Sequence, residues 1–287
     1  MTRVAVIGLG TMGGRAAAAL VSAGHSVTGH DPSPDALRAA ADDGVEVAGS
    51  VTGAVREAEL VLVSVPLPGH VRTVVEDLAT TARPGTAVVD LSTVDPGTAR
   101  QAAARLASHD VEYADAPVLG RPAGCGAWTL VVGGSPAFVE RVAPLLGGSI
   151  AKAVVRVGDV GAGSVVKLAN NLMFGAINAV TAEAVALCEA QGVDPAVFAA
   201  TVADSGAATV SPLFRDIAPR MVSGDYDPVF ALELLAKDNR LALELATDSG
   251  VEAPLAETVH RVNDVGMARQ LAALDSAAVR EVYRGPA

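Results

Sequence analysis

Arg3-Val4-Ala5-Val6-Ile7-Gly8-Leu9-Gly10-Thr11-Met12-Gly13 is the stretch that decides the fold. Its first five residues are an extended, largely apolar run, and an Ala-rich helical segment follows over residues 14–23. The six residues between fit G-x-G-x-x-G in the strand–turn–helix context that a dinucleotide-binding turn requires. Gly8 permits the tight turn, Gly10 lets the backbone approach a pyrophosphate, and Gly13 lets helix and strand pack closely. The helix N-terminus then presents unpaired N–H groups to phosphate oxygens. Leu9, Thr11 and Met12 complete the loop as candidate contacts. The plainer alternative is a Gly-rich turn in some other α/β protein.

Outward from this turn, short aliphatic runs at residues 26–29, 60–65, 87–91, 111–114 and 130–132 alternate with helical segments such as 99–108. Several runs are apolar throughout, as strands buried on both faces of a parallel sheet must be. Helix starts are marked by a side-chain cap followed by proline: Ser33-Pro34, Asp95-Pro96, Ser135-Pro136, Asp194-Pro195 and Ser211-Pro212. A further strand is expected over 151–157. After it comes a Gly-rich joint, 158–163, and then only helical patterns. The longest covers 164–190 and is apolar on most of its circumference, so it should be buried between domains or subunits. The expected architecture is α/β: a doubly wound Rossmann-type domain over 1–161, then an all-α domain over 162–287 for substrate binding and oligomerisation.

Composition narrows the function. Of 287 residues 51% are apolar and 18% charged, enough for a sizeable core. The formal charge of −11 argues against nucleic acid or an anionic membrane surface as partner. Two cysteines, Cys125 and Cys188, are too few for a disulfide framework or a zinc cage, and no metal site is expected. No signal peptide is expected at the N-terminus, and no run approaches the roughly 20 uninterrupted apolar residues of a membrane span. A soluble, cytoplasmic protein is expected.

The second expected strand leads to Asp31, 21 positions after Gly10 and so spaced to bind the ribose hydroxyls of a dinucleotide. A carboxylate there repels a 2′-phosphate, and the nearest cation in sequence is Arg38. NAD is therefore expected over NADP. Alternatively, Asp31 only caps the turn before Pro32. The chain carries 18 Arg and three Lys, Lys152, Lys167 and Lys237, so a retained Lys suggests a place where Arg cannot serve. Lys can exchange a proton and Arg effectively cannot. Lys167 and Asn171 are i and i+4 on the long helix and share a face. A substrate hydroxyl and carboxylate would satisfy both; the bland alternative is a Lys at the helix edge reaching water. Lys237 interrupts an apolar helical pattern over 230–245. Taken alone it reads as part of a solvated charged face.

Together these motifs, in order and over nearly the whole chain, resemble the β-hydroxyacid dehydrogenase family of the 3-hydroxyisobutyrate dehydrogenase type. The matching elements are Gly8–Gly13; Val65-Pro66 at the end of the strand over 60–65; Asp90–Pro96, with Thr93; Asp115–Gly120, continuing to Gly133-Gly134; Gly161-x-Gly163-x-x-x-Lys167-x-x-x-Asn171; and Lys237-Asp238. The resemblance implies hydride transfer between a nicotinamide and a small anionic β-hydroxy acid, 3-hydroxyisobutyrate-like, or its semialdehyde. It implies that Lys167 and Asn171 are catalytic and that Val65, Pro66, Thr93 and Lys237 line the cofactor. Two departures bear on the substrate. Where the family has Ser-Gly-Gly this chain has Leu119-Gly120-Arg121, so a hydroxyl is lost and a guanidinium gained. Arg121 either grips the substrate acid as a bidentate pair or pins the loop. The stretch 122–129 holds the one Trp, Trp128, which either shapes the pocket or is core. The rival expectations are a same-fold reductase of glyoxylate, succinic semialdehyde or an imine, and a dinucleotide-binding sensor without turnover. The long apolar helix further suggests a homodimer or homotetramer.

Overall fold

The computed structural model describes residues 1–207 and 209–284. The chain separates into two compact units, Met1–Lys167 and Leu168–Ala287. The break falls inside the long helix, six residues past the joint at Gly161.

The first unit is a nine-stranded sheet with helices on both faces. Its strands are β1 (Arg3–Ile7), β2 (Ser26–His30), β3 (Glu46–Val47), β4 (Leu60–Val63), β5 (Ala87–Asp90), β6 (Glu112–Asp115), β7 (Val118–Leu119), β8 (Trp128–Gly133) and β9 (Ala151–Gly158). The helices between them are α1 (Gly13–Ser22), α2 (Pro34–Asp42), α3 (Val51–Val55), α4 (Pro68–Thr81), α5 (Pro96–Ala107) and α6 (Pro136–Gly147). The order is β3-β2-β1-β4-β5-β6-β8-β7, with β9 paired to β8. Pairing is parallel from β3 through β6; β8 is antiparallel to β6 and β7. Successive residues of the central strands serve opposite cores. Val4, Val6, Leu60 and Leu62 join one cluster with Leu20 and Trp128. Ala5, Ile7, Val61 and Val63 join the other with Leu78 and Leu106. This two-sided burial is why these strands read as unbroken apolar runs.

Strand order reverses between β1 and β4, on either side of which helices cover opposite faces. A crevice at the carboxyl ends of strands at such a switch point is where open α/β sheets take ligands. One local expectation is corrected here. The strand expected over 60–65 stops at Val63, so Val65 and Pro66 lie in the loop beyond it. Ser64 N still donates to Ile7 O at 2.8 Å, but Val65 N turns to Ser92 Oγ at 2.9 Å.

The second unit is built from most of α7 (Ala162–Ala190) and from α8 (Pro195–Asp204), α9 (Pro212–Ser223), α10 (Leu232–Asp248) and α11 (Pro254–Ala268), ending in a 3₁₀ segment, Ser276–Tyr283. Every cap–proline pair named from sequence starts a helix, with the cap oxygen accepting a backbone N–H: Ser33, Asp95, Ser135, Asp194 and Ser211. The 29-residue α7 is long and apolar enough to cross a membrane by length and composition alone. However, Asn171, Asn178 and Thr181 are buried along it. Asn178 Nδ2 donates to Ser276 O at 2.6 Å, which ties α7 into the core of the unit.

Candidate active site

Gly8, at φ +91°, donates from N to His30 O at 2.9 Å. A Cβ on it would stand 2.1 Å from Ser64 O, and one on Gly13 would stand 1.9 Å from Gly8 O. Both glycines are thus demanded by the protein itself. Gly10 is different: a Cβ there meets nothing within 4 Å, and no left-handed backbone requires glycine. Close approach of something other than protein is the physical reason left for it. The helix that follows is α1. Its N-cap, Met12, supplies no side-chain acceptor, and its first turn has no acidic residue. Gly14 N turns back to Gly10 O at 2.8 Å, and with no side-chain cap the rest of the helix start can meet an anion. Open space over Gly10 and an uncapped α1 fit a pyrophosphate.

Asp31 sits at the rim of this loop. Its Oδ2 accepts Leu9 N at 2.8 Å and its Oδ1 accepts Ser33 N at 2.8 Å. The turn-capping alternative is therefore real, but the same carboxylate is fixed against the Gly loop. Arg38, the nearest cation in sequence, pairs with Asp35.

The loops after β4 and β5 complete this end of the sheet, since Ile7, Val63 and Asp90 are in register across β1, β4 and β5. Ser92 couples the two loops: its Oγ accepts Val65 N, and its own N donates to Asp90 Oδ1 at 2.8 Å. Tyr113 OH donates to Asp90 Oδ2 at 2.8 Å. Burial pushes the Asp90 carboxyl above the usual carboxylate range, against these hydrogen bonds, and burial beside Asp90 pushes the Tyr113 phenol well above its ordinary value. On these two loops Pro66 is exposed and Thr93 is half-buried.

Next along the sheet, Asp115 ends β6, in register with Asp90. Its Oδ1 accepts Gly161 N and its Oδ2 accepts Ser164 N, both at 2.7 Å. One turn further along α7, Lys167 Nζ donates to Val118 O at 2.7 Å. Val118 and Leu119 form β7, and Gly120 and Arg121 follow. Trp128 holds this loop from below. Its indole Nε1 donates to Arg121 O at 2.7 Å, and a Cβ on Gly120 would lie 2.7 Å from its Cδ1. Trp128 is 1% exposed, so it is core. It is Arg121's backbone carbonyl that is pinned, while the residue itself is exposed.

In the second unit, Asn171 is buried on α7 and donates from Nδ2 to Asp238 Oδ2. Asp238, also buried, pairs through Oδ1 with Lys237 Nζ at 2.9 Å. Lys237 has a side chain only 10% exposed, so the solvated-face reading of this segment does not hold. Gly175 lets Asn239 against α7, since a Cβ there would stand 2.4 Å from Asn239 Oδ1. Among these groups, the bridging roles of Ser92, Asp115 and Asp238 were not read from sequence.

Residues 3–158 match the model of the NAD binding domain of 6-phosphogluconate dehydrogenase, and residues 161–283 match that of the NAD-binding region of NADP-dependent 3-hydroxyisobutyrate dehydrogenase. This chain belongs to the β-hydroxyacid dehydrogenase family. A probable 3-hydroxyisobutyrate dehydrogenase of Mycobacterium tuberculosis is 36% identical over 262 residues, 89% of each chain. A 3-sulfolactaldehyde reductase of Escherichia coli is 32% identical, covering 99% of this chain and 96% of its own. The crystal structure of a 3-hydroxyisobutyrate dehydrogenase from Salmonella typhimurium superposes with a TM-score of 0.91 at 31% identity, covering 98% of this chain and all of the other. Like its relatives, this β-hydroxyacid dehydrogenase is a dinucleotide-dependent oxidoreductase acting on hydroxy acids.

Proposed function

We propose that this family member catalyses reversible, NAD-dependent oxidation of a small β-hydroxy acid of the 3-hydroxyisobutyrate kind to its semialdehyde. The observation that carries the reading is the seat of Lys167, whose amine is held 2.7 Å from Val118 O on the strand leading into Leu119-Gly120-Arg121. That hydrogen bond orients the amine towards the loop, where it acts as the acid–base group. In oxidation the neutral amine takes the hydroxyl proton; in reduction the ammonium returns it. When bound, the dinucleotide accepts or supplies the hydride. Asn171, one turn along α7, holds the hydroxyl or the carboxylate, and Asp238 fixes its amide orientation. Lys237, paired with the same Asp238, contacts the cofactor.

Gly8 to Gly13 and the α1 N-terminus hold the pyrophosphate, Val65, Pro66 and Thr93 line the dinucleotide, and Asp31 holds the ribose hydroxyls. NAD is favoured over NADP because the Asp31 carboxylate is fixed at the loop rim, and Arg38, the nearest cation in sequence, pairs with Asp35. Leu119, Gly120 and Arg121 line the acid. Arg121 grips the substrate carboxylate, replacing the hydroxyl that Leu119 lacks. If Arg121→Ala leaves KM for every acid tested unchanged, that grip is wrong. The enzyme works as a homodimer or homotetramer, supported by exposed Met173, Val180 and Leu187 at seven-residue spacing on α7.

The test is NADH and NADPH formation with 3-hydroxyisobutyrate, 3-hydroxypropionate, glycerate and serine. NAD-dependent turnover that falls at least about 10²-fold in Lys167→Ala supports the reading. Near-normal turnover in that variant refutes it.

A further inference from the structure

The Asp115 carboxylate makes its hydrogen bonds within the first unit, and none of the roles above uses it. It is 1% exposed, and both of its oxygens are taken by backbone amides of the α7 start, Gly161 and Ser164. The protein makes room for it on two sides. A Cβ on Gly133 would lie 2.4 Å from Asp115 Oδ1, and one on Gly163 would lie 3.0 Å from Oδ2 and 2.8 Å from the Asp115 carbonyl. Three residues beyond Asp115, Val118 O receives the Lys167 amine. The segment 115–118 therefore grips the first turns of α7 at two points, one through a side chain and one through a carbonyl. A helix start normally takes its cap from the residue just before it; here the cap comes from a strand 46 residues away in sequence.

We infer that Asp115 is the positioning residue for Lys167: it clasps the first turn of α7 to β6 and so sets where the Lys167 amine stands over the loop 118–121. The inference rests on Lys167 being the acid–base group. Asn in place of Asp115 keeps the shape but turns an N–H₂ towards one of two amide donors, so one contact becomes donor against donor. The turn must shift to relieve it, and a shift of about 1 Å at a reacting group costs roughly 10²-fold in rate.

The experiment is a double-mutant cycle of Asp115→Asn and Lys167→Ala, read as kcat and KM with NAD and 3-hydroxyisobutyrate, alongside amide hydrogen exchange over 159–168. Thermal unfolding and NAD titration confirm a folded, cofactor-binding protein. Asp115→Asn is expected to lower kcat roughly 10²-fold with KM for NAD unchanged, to speed exchange at Gly161 and Ser164, and to cost nothing further in the Lys167→Ala background. Wild-type kcat in Asp115→Asn overturns the inference, as does an equal loss in both backgrounds. If Asp115→Asn does not fold, Asp115→Ser, smaller and still an acceptor, carries the same cycle. The two readings fail differently. Lys167→Ala with near-normal turnover sinks both, whereas an inactive Lys167→Ala beside a normal Asp115→Asn sinks only this one.

Discussion

Asp31 is compatible with both readings that the sequence left open. Its carboxylate caps the turn at Ser33 and also binds the Leu9 amide, so the acid is fixed against the glycine loop. The spacing from Gly10 was legible because it follows from the chain path over one strand–helix–strand unit. The second amide was not, because it depends on how the loop folds back. Asp31→Ser removes the charge that repels a 2′-phosphate and keeps a short acceptor for Ser33. The ratio of kcat/KM for NAD over NADP is expected to fall by about tenfold or more, the size of one lost charge contact. An unchanged ratio would mean that Asp31 is only a turn cap. Lys167 and Lys237 stood out by scarcity among 18 arginines, a compositional signal that needed no structure. Asp238, which joins Asn171 to Lys237, is one of many acids in the chain and carried no such mark.

At the scale of elements, the cap–proline starts and the central strands were readable because each is decided within a few neighbouring residues. The two-residue strands β3 and β7 were not, since nothing local distinguishes them from loop. They exist because neighbours pair with them, Thr28 and Gly29 for β3, Leu130 and Thr129 for β7. The same holds for the coupling between loops. Ser92 links the loop after β5 to Val65 in the loop after β4, across 27 residues of sequence. Ser92→Ala leaves the Val65 amide without its acceptor, at a cost of about 1 kcal/mol. Since both loops are proposed to line the dinucleotide, KM for NAD is expected to rise about fivefold while kcat stays within a factor of about two. A kcat loss without a KM change would place Ser92 in the chemistry rather than in the cradle. Trp128 belongs to this scale too. As the only Trp it drew notice, but whether it was pocket or core depended on Leu119 and Gly120 crossing above it.

For the whole molecule, buried charge and exposed apolar surface make opposite demands. Asp90 is buried and its carboxyl is pushed above 3.8, chiefly by that burial. A carboxyl raised in the folded state stabilises the fold when protonated, and that contribution is lost as pH rises from near the unfolded value through the raised one. Asp90→Asn removes this loss while still accepting from Ser92 N, so its Tm relative to wild type should climb as pH rises above about 4. A difference that stays flat with pH would show that Asp90 is not a net burden when ionised. On the outside, Met173, Val180 and Leu187 stand 60–65% exposed on α7, one apolar stripe in a chain of net charge −11. Two copies repel through charge, so a contact between them must come from apolar burial. Added salt should then strengthen the assembly by screening that repulsion. Val180→Glu places a carboxylate in the middle of the stripe, and burying it unpaired costs several kcal/mol. Sedimentation is expected to show wild type above the 28.8 kDa of one chain and Val180→Glu at that mass, with NAD binding intact. If wild type sediments as a single chain, or Val180→Glu keeps the assembly, the stripe is not what joins the copies.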